Sequence, residues 1–292
     1  MHLPFIFSKR RKNTDRIVDL PLKVPRAFTL EITPKCNFNC PYCYCLWHEF
    51  PHLVDKCLSF EEWKNIITAL LEHKVHVFMF SGGEALLCPF LSDLLIFTRK
   101  KSNSGKISLF TNGALVNSDF LRICSDIKIN IAISLQGLKS YHQMTGSNSD
   151  YQDILKLLKQ CSNMGIPVSV STVVTQLNKH EICDVFSAAA DAGAGFIQLG
   201  PMMVQGKGRH RADLALSRDE WENIKQQIRN MKNCHTPYTF CEEMICQCRK
   251  HPDEIFQKFS LDGVLPCSAG KASGVISPDG SYRKCLHYIK SE

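Results

Sequence analysis

Short apolar runs alternate with longer amphipathic ones from Ala27 to about Leu199. Each run is followed by a turn or loop signal, the pattern of repeated strand-helix units around a parallel sheet. Strands are predicted at Phe28 to Ile32, Val75 to Phe80, Ile107 to Phe110, Ile129 to Ser134, Val168 to Val174 and Phe196 to Leu199. Six units fit the length. In the first of them, Ser59 and Glu62 make a capping-box pattern, and Trp63, Ile66, Ile67, Leu70 and Leu71 recur at helical spacing. That stripe should face the sheet. Ile154, Leu157, Leu158 and Cys161 form a second stripe, stopped near Gly165 and Pro167, and Ile182 to Ala192 form a third, stopped at Gly193.

After Gly200 the rhythm breaks. Pro201 to Arg211 is rich in glycine and basic residues without a clear period and reads as a loop or linker, followed by a predicted helix from about Ser217 to Met231. The expected division is an N-terminal extension over 1–26, a core over 27–200, a linker and helix over 201–233, and a cysteine-rich region over 234–292.

With 44% hydrophobic and 22% charged residues the chain is ordinary globular material, neither disordered nor fibrous. No apolar run approaches the roughly 20 residues of a membrane span, and the basic cluster near the start follows too short an apolar stretch for a secretory signal. A cytoplasmic protein with no membrane partner is expected. The net charge of +7 is spread out apart from Lys9 to Lys12, and no aromatic-interleaved basic motif accompanies that run, so nucleic acid is not an expected partner. Cysteine changes the picture. There are 15, six of them from Cys234 onward, and without a secretory signal they point to metal or cluster chemistry rather than disulfides.

The strongest signal follows the first strand directly: Cys36-Asn37-Phe38-Asn39-Cys40-Pro41-Tyr42-Cys43. Three thiolates in one short loop can wrap one face of a cubane cluster, leaving one iron without a protein ligand and open to a substrate or cofactor. Zinc is the alternative, with Cys45 or His48 supplying a fourth ligand.

This Cys-x3-Cys-x2-Cys loop, with an aromatic before its last cysteine, resembles the signature of the radical S-adenosylmethionine (SAM) superfamily. The resemblance implies a 4Fe-4S cluster on Cys36, Cys40 and Cys43, with SAM on the open iron and Tyr42 beside it. Ser81-Gly82-Gly83-Glu84 matches the family segment that contacts the methionyl amine, where glycine allows close backbone approach and Glu84 offers an acceptor. Thr111, Asn112 and Ser134 resemble positions near the ribose and carboxylate of SAM. All of these end strands, the edge where parallel α/β barrels place their sites. The implied fold is α/β, a partial (β/α)6 TIM-like barrel with a small C-terminal cysteine-rich α+β extension.

That extension, with Cys267, a Pro278-Asp279-Gly280 turn and Cys285, resembles the start of a SPASM or twitch domain. It implies a probable auxiliary iron-sulfur cluster with Cys267 and Cys285 among its ligands, although further SPASM cysteines are absent downstream. The function implied is reductive cleavage of SAM to a 5'-deoxyadenosyl radical that abstracts hydrogen from a peptide or protein substrate, with flavodoxin or ferredoxin as electron donor. A small molecule such as a tetrapyrrole is the alternative substrate, and a non-catalytic iron-sulfur or zinc scaffold is the alternative class. Cys57, Cys88, Cys124, Cys161 and Cys183 lie in or beside apolar stripes and read as core or incidental.

Overall fold

The computed structural model describes residues 24–48, 57–231, 235–241 and 270–286. Nine strands make one open sheet in the order β7-β6-β5-β4-β3-β2-β1-β8-β9. They are β1 (Ala27–Glu31), β2 (Val77–Ser81), β3 (Lys106–Thr111), β4 (Asn130–Ser134), β5 (Val168–Val174), β6 (Phe196–Pro201), β7 (Tyr238–Phe240), β8 (Ser273–Ile276) and β9 (Tyr282–Arg283). The helices are α1 (Phe60–Glu72), α2 (Leu91–Lys101), α3 (Ser118–Asp126), α4 (Tyr141–Thr145), α5 (Tyr151–Asn163), α6 (Ile182–Asp191) and α7 (Arg218–Arg229). The chain forms two compact units, one of Met1–Lys35, Phe50–Ser108 and Met244–Glu292, the other of Cys36–Glu49 and Leu109–Glu243.

In the first unit β1 pairs in parallel with β2, Ala27 opposite Val77 through Glu31 opposite Ser81. The capping box forms as the sequence requires: Ser59 Oγ accepts from the Glu62 amide while Glu62 accepts from the Ser59 amide. Trp63, Ile67 and Leu70 are buried from that helix, and Phe28, Leu30, Phe78 and Phe80 from the strands. The Pro278-Asp279-Gly280 turn joins β8 and β9 as an antiparallel hairpin. Its first strand also lies parallel along β1, from Ala27 opposite Ser273 to Leu30 opposite Ile276. The hairpin is therefore an extension of the core sheet. Glu31, 2% exposed, pairs there with Arg283, whose guanidinium also donates to Ser277 Oγ and the Leu286 carbonyl.

In the second unit β4 pairs with β5, β5 with β6 and β6 with β7, all parallel. Burial alternates strictly along β5. One face carries Ile131, Ile133, Val168, Val170, Ile197 and Leu199, buried, while Ala132, Ser134, Ser169 and Ser171 stand half-buried on the other. The stretch read as a linker is folded: Gly206–Leu214 forms 3-10 turns. Cys124 and Cys161 are fully buried core thiols, and burial pushes them up to about 12 and about 11 respectively. Cys57 instead is exposed.

Candidate functional site

In the first unit the turn after β2 is built against the loop that leaves β1. The Gly83 amide donates to the Thr33 carbonyl at 2.8 Å, and the Glu84 amide to the Lys35 carbonyl at 2.7 Å. A Cβ on Gly82 would stand 2.3 Å from the Thr33 oxygen, and one on Gly83 would stand 2.3 Å from the Lys35 oxygen. These two glycines are thus required by backbone packing, since no side chain fits between the two loops. Lys35 is the residue immediately before Cys36. Glu84 is buried, and its carboxylate accepts from the Leu86 amide at 3.1 Å, capping the 3-10 turn Ala85–Leu87. Ser81 ends β2 half-buried. Cys285 lies half-buried just beyond β9, whereas Cys267, Cys246 and Cys248 lie outside the described residues.

In the second unit the cysteine loop rests on three other segments. Its Asn39 amide donates to the Thr145 carbonyl at the end of α4, 3.0 Å away, and Gly146, left-handed at φ 58°, leaves room for the Asn39 carbonyl. Gly206, at φ 54°, packs its α-carbon under the carbonyls of Cys43 and Cys45, and Lys207 donates to Asn39 Oδ1. Asn112, at the end of β3, donates through Nδ2 to Asn37 Oδ1 at 2.8 Å and accepts from the Ala114 amide. Thr111 Oγ1 accepts from the Gly113 amide at 3.0 Å, and Ser134 ends β4 half-buried.

The three thiols differ. Cys36 is exposed and its sulfur accepts from the Phe38 amide at 3.4 Å. The Cys40 thiol donates to the Thr145 carbonyl at 3.6 Å, and burial, helped by the nearby Cys43 sulfur, pushes it up to about 12. A hydrogen bond from Cys45 draws Cys43 down to about 5, against burial and with help from His48. The thiolate is the form of cysteine that binds metal. Tyr42 is buried in a core cluster with Met144, Met202 and Leu214, against which Cys40 also packs.

Among the described residues, no three Cys, His, Asp or Glu side chains converge as ligands of a single metal ion do. A cubane does not require that convergence, because each thiolate binds a different iron. The donor set fits such a cluster: three cysteines on one loop that is held to neighbouring segments at Asn37, Asn39 and Cys43. Sequence reasoning did not single out Asn37, Gly146, Gly206 or Lys207. The Gly-x-Gly of the supposed linker was the one local signal for that support.

The description "Radical SAM superfamily" matches residues 30–189, more than half of the chain. This protein belongs to that superfamily. Among curated proteins it is similar to the sporulation killing factor maturation protein SkfB of Bacillus subtilis (strain 168), 26% identical over 230 residues, covering 75% of this chain and 55% of SkfB. The antilisterial bacteriocin subtilosin biosynthesis protein AlbA of the same organism is 26% identical over 271 residues, covering 91% of this chain and 56% of AlbA. The chain thus spans about half the length of these curated relatives. Among solved structures, Streptococcus suis SuiB bound to precursor peptide SuiA superposes with a TM-score of 0.72 at 18% identity, covering 93% of this chain and 62% of SuiB. That likeness shows the fold, the partial barrel that the family resemblance implied.

Proposed function

We propose that this chain is a radical SAM enzyme that modifies a peptide or protein. The observation that carries the reading is the family match across residues 30–189, which contains the cysteine loop at the carboxyl end of β1, together with the maturation and biosynthesis roles printed for SkfB and AlbA. When bound, a 4Fe-4S cluster and SAM supply one-electron reductive cleavage of the sulfonium, yielding a 5'-deoxyadenosyl radical for hydrogen abstraction. Cys36, Cys40 and Cys43 would hold the cluster and would leave one iron for SAM. Glu84 would accept from the SAM ammonium, and one of its carboxylate oxygens already accepts from the Leu86 amide. Gly82 and Gly83 set the turn that carries it. Asn112 holds the cysteine loop through Asn37, and Thr111 and Ser134 would lie near the ribose and carboxylate of SAM. Tyr42 anchors the loop by its buried ring.

Cys267 and Cys285 contribute to an auxiliary cluster in this reading. The electron donor is a small reductant protein of the flavodoxin or ferredoxin class, and the setting is the cytoplasm. Among the described residues no helix is long and apolar enough to cross a membrane. Production of the chain together with candidate short precursor peptides tests the substrate class by mass spectrometry. A peptide lighter by two hydrogens supports the reading. Unmodified peptide alongside abundant 5'-deoxyadenosine would overturn it in favour of a small molecule such as a tetrapyrrole.

A further inference from the structure

Glu181, in the second unit, is a buried carboxylate that no step of the proposed reaction uses. It ends the 3-10 turn Lys179–Glu181 just before α6, and its oxygens accept from three successive amides of the loop between β4 and α4. These are Leu138 at 3.1 Å, Lys139 at 2.9 Å and Ser140 at 3.1 Å, and the Ser140 hydroxyl donates as well. Burying a carboxylate is costly unless donors replace its water, and four donors do so here. Gly137 leaves the room, since a Cβ there would stand 2.8 Å from the Glu181 oxygen. The segment before Glu181 holds the same region at two more points. Asn178, fully buried, donates through Nδ2 to the Gln136 carbonyl at 2.7 Å, and Thr175 Oγ1 donates to Met144 Sδ on α4 at 3.2 Å.

The held Ser140 is the residue immediately before α4, and the other end of that helix carries the cysteine loop. There the Thr145 carbonyl accepts from the Asn39 amide at 3.0 Å and from the Cys40 thiol at 3.6 Å. A Cβ on Gly146 would stand 2.5 Å from the Asn39 oxygen, so the contact is backbone on backbone. Thr145 Oγ1 donates to the Tyr141 carbonyl at 2.8 Å and braces the helix from end to end. Five residues of helix have no stability of their own, so the place of α4 is set by what holds its ends.

We propose that Glu181 is a positioning residue for the cysteine loop: by fixing the start of α4 it fixes the Thr145 carbonyl on which Asn39 and Cys40 rest. The place at which Cys40 meets the cluster is then set from a carboxylate 141 residues further along the chain. Only this last step rests on the reading of Cys40 as a ligand. The hold on Asn39 stands without it.

The test uses the full chain as wild type, Glu181→Ala and a control, Asn117→Ala, which removes the side chain that caps α3 by accepting from the Phe120 amide. Amide hydrogen exchange before iron is added, read by mass spectrometry, compares the cysteine loop over 36–45 and the α4 segment over 141–146 with α5 (Tyr151–Asn163). A general loss of stability speeds exchange in all three, whereas loss of the hold speeds the first two alone. Glu181→Ala should speed them about tenfold relative to α5, and Asn117→Ala should leave the ratio unchanged. After reconstitution with iron and sulfide, iron per chain should fall in Glu181→Ala and hold in Asn117→Ala. A ratio in Glu181→Ala equal to that of wild type would overturn the proposal, as would a full complement of iron alongside faster exchange of the loop. If Glu181→Ala does not fold, Glu181→Gln, which keeps one acceptor oxygen and sets an amide nitrogen among the loop amides, is judged by the same ratio. Wild type that takes up no iron would contradict the cluster reading, and the exchange ratio alone would then decide whether Glu181 holds the loop.

Discussion

Alanine at Gly83 separates steric from conformational roles for glycine in this fold. The added methyl carbon would stand 2.3 Å from the Lys35 oxygen and 2.7 Å from both the Lys35 carbon and the Pro34 oxygen. Ordinary contact needs roughly an ångström more, and every obstructing atom is backbone, so no rotamer relieves the clash. The loop from Thr33 to Lys35 must retreat, which breaks the 2.7 Å bond from the Glu84 amide to the Lys35 carbonyl. Overpacking costs about 1–3 kcal/mol and a buried backbone group left unpaired about 1–3 kcal/mol more. Gly83→Ala should therefore lose about 2–6 kcal/mol. Gly165 is the comparison: its φ is 67°, but a Cβ there meets nothing within 4 Å. Gly165→Ala should cost only the left-handed penalty, about 1–2 kcal/mol. Urea unfolding at pH 7 measures both, and iron bound per chain after reconstitution reports whether the retreat of Lys35 reaches Cys36. A Gly83→Ala loss no larger than that of Gly165→Ala would refute the close-packing argument.

Arg283→Met leaves the buried Glu31 carboxylate without its cation and should destabilise the chain by about 3–5 kcal/mol, with Glu31→Gln in the same chain recovering part of the loss by thermal or urea unfolding. Burial works against the charge on Glu181, but the Ser140 hydroxyl and the amides of Ser140, Lys139 and Leu138 outweigh it and hold its carboxyl below the usual range. Its contribution is therefore present above the ordinary carboxylate value of about 4.3 and lost as pH falls through the lower folded value. Glu181→Gln should cost about 1–3 kcal/mol at pH 7, and its melting temperature should converge on that of wild type as the pH is taken from 6 down to about 3. Gly206→Ala must push a methyl into the carbonyls of Cys43, Tyr44 and Cys45 and should lower iron bound per chain more than a Gly165→Ala control does.

The strands and helices of the core could be read because each carries its own period. Val168 to Ser171 alternates apolar and polar within a strand whose burial alternates throughout, and Trp63, Ile67 and Leu70 mark one face of α1. The ends of α1 and α3 gave less warning, since Lys74 and Lys128 occupy left-handed positions where glycine would have been the signal. The hairpin around Asp279 was legible, yet its place beside β1 was not, because parallel pairing between Ala27 and Ser273 leaves no local pattern. The site shows the same split. Cys36, Cys40 and Cys43 announce themselves by spacing, whereas Asn37 meets Asn112 across 75 residues and Cys40 meets Thr145 across 105. Gly82 and Gly83 suggested close approach to a ligand. The structure shows close approach to the carbonyls of Thr33 and Lys35, which fixes the turn that carries Glu84.

The central claim is that Cys36, Cys40 and Cys43 support reductive cleavage of SAM. It is tested most directly by anaerobic reconstitution with iron and sulfide, addition of SAM and dithionite, and quantitation of 5'-deoxyadenosine and iron per chain in wild type and in the variant with all three cysteines replaced by alanine. Deoxyadenosine from wild type and none from the variant is the predicted result, and iron kept by the variant would report an auxiliary cluster. Wild type that binds zinc or no metal and forms no deoxyadenosine would contradict the account and leave the fold as a binding scaffold.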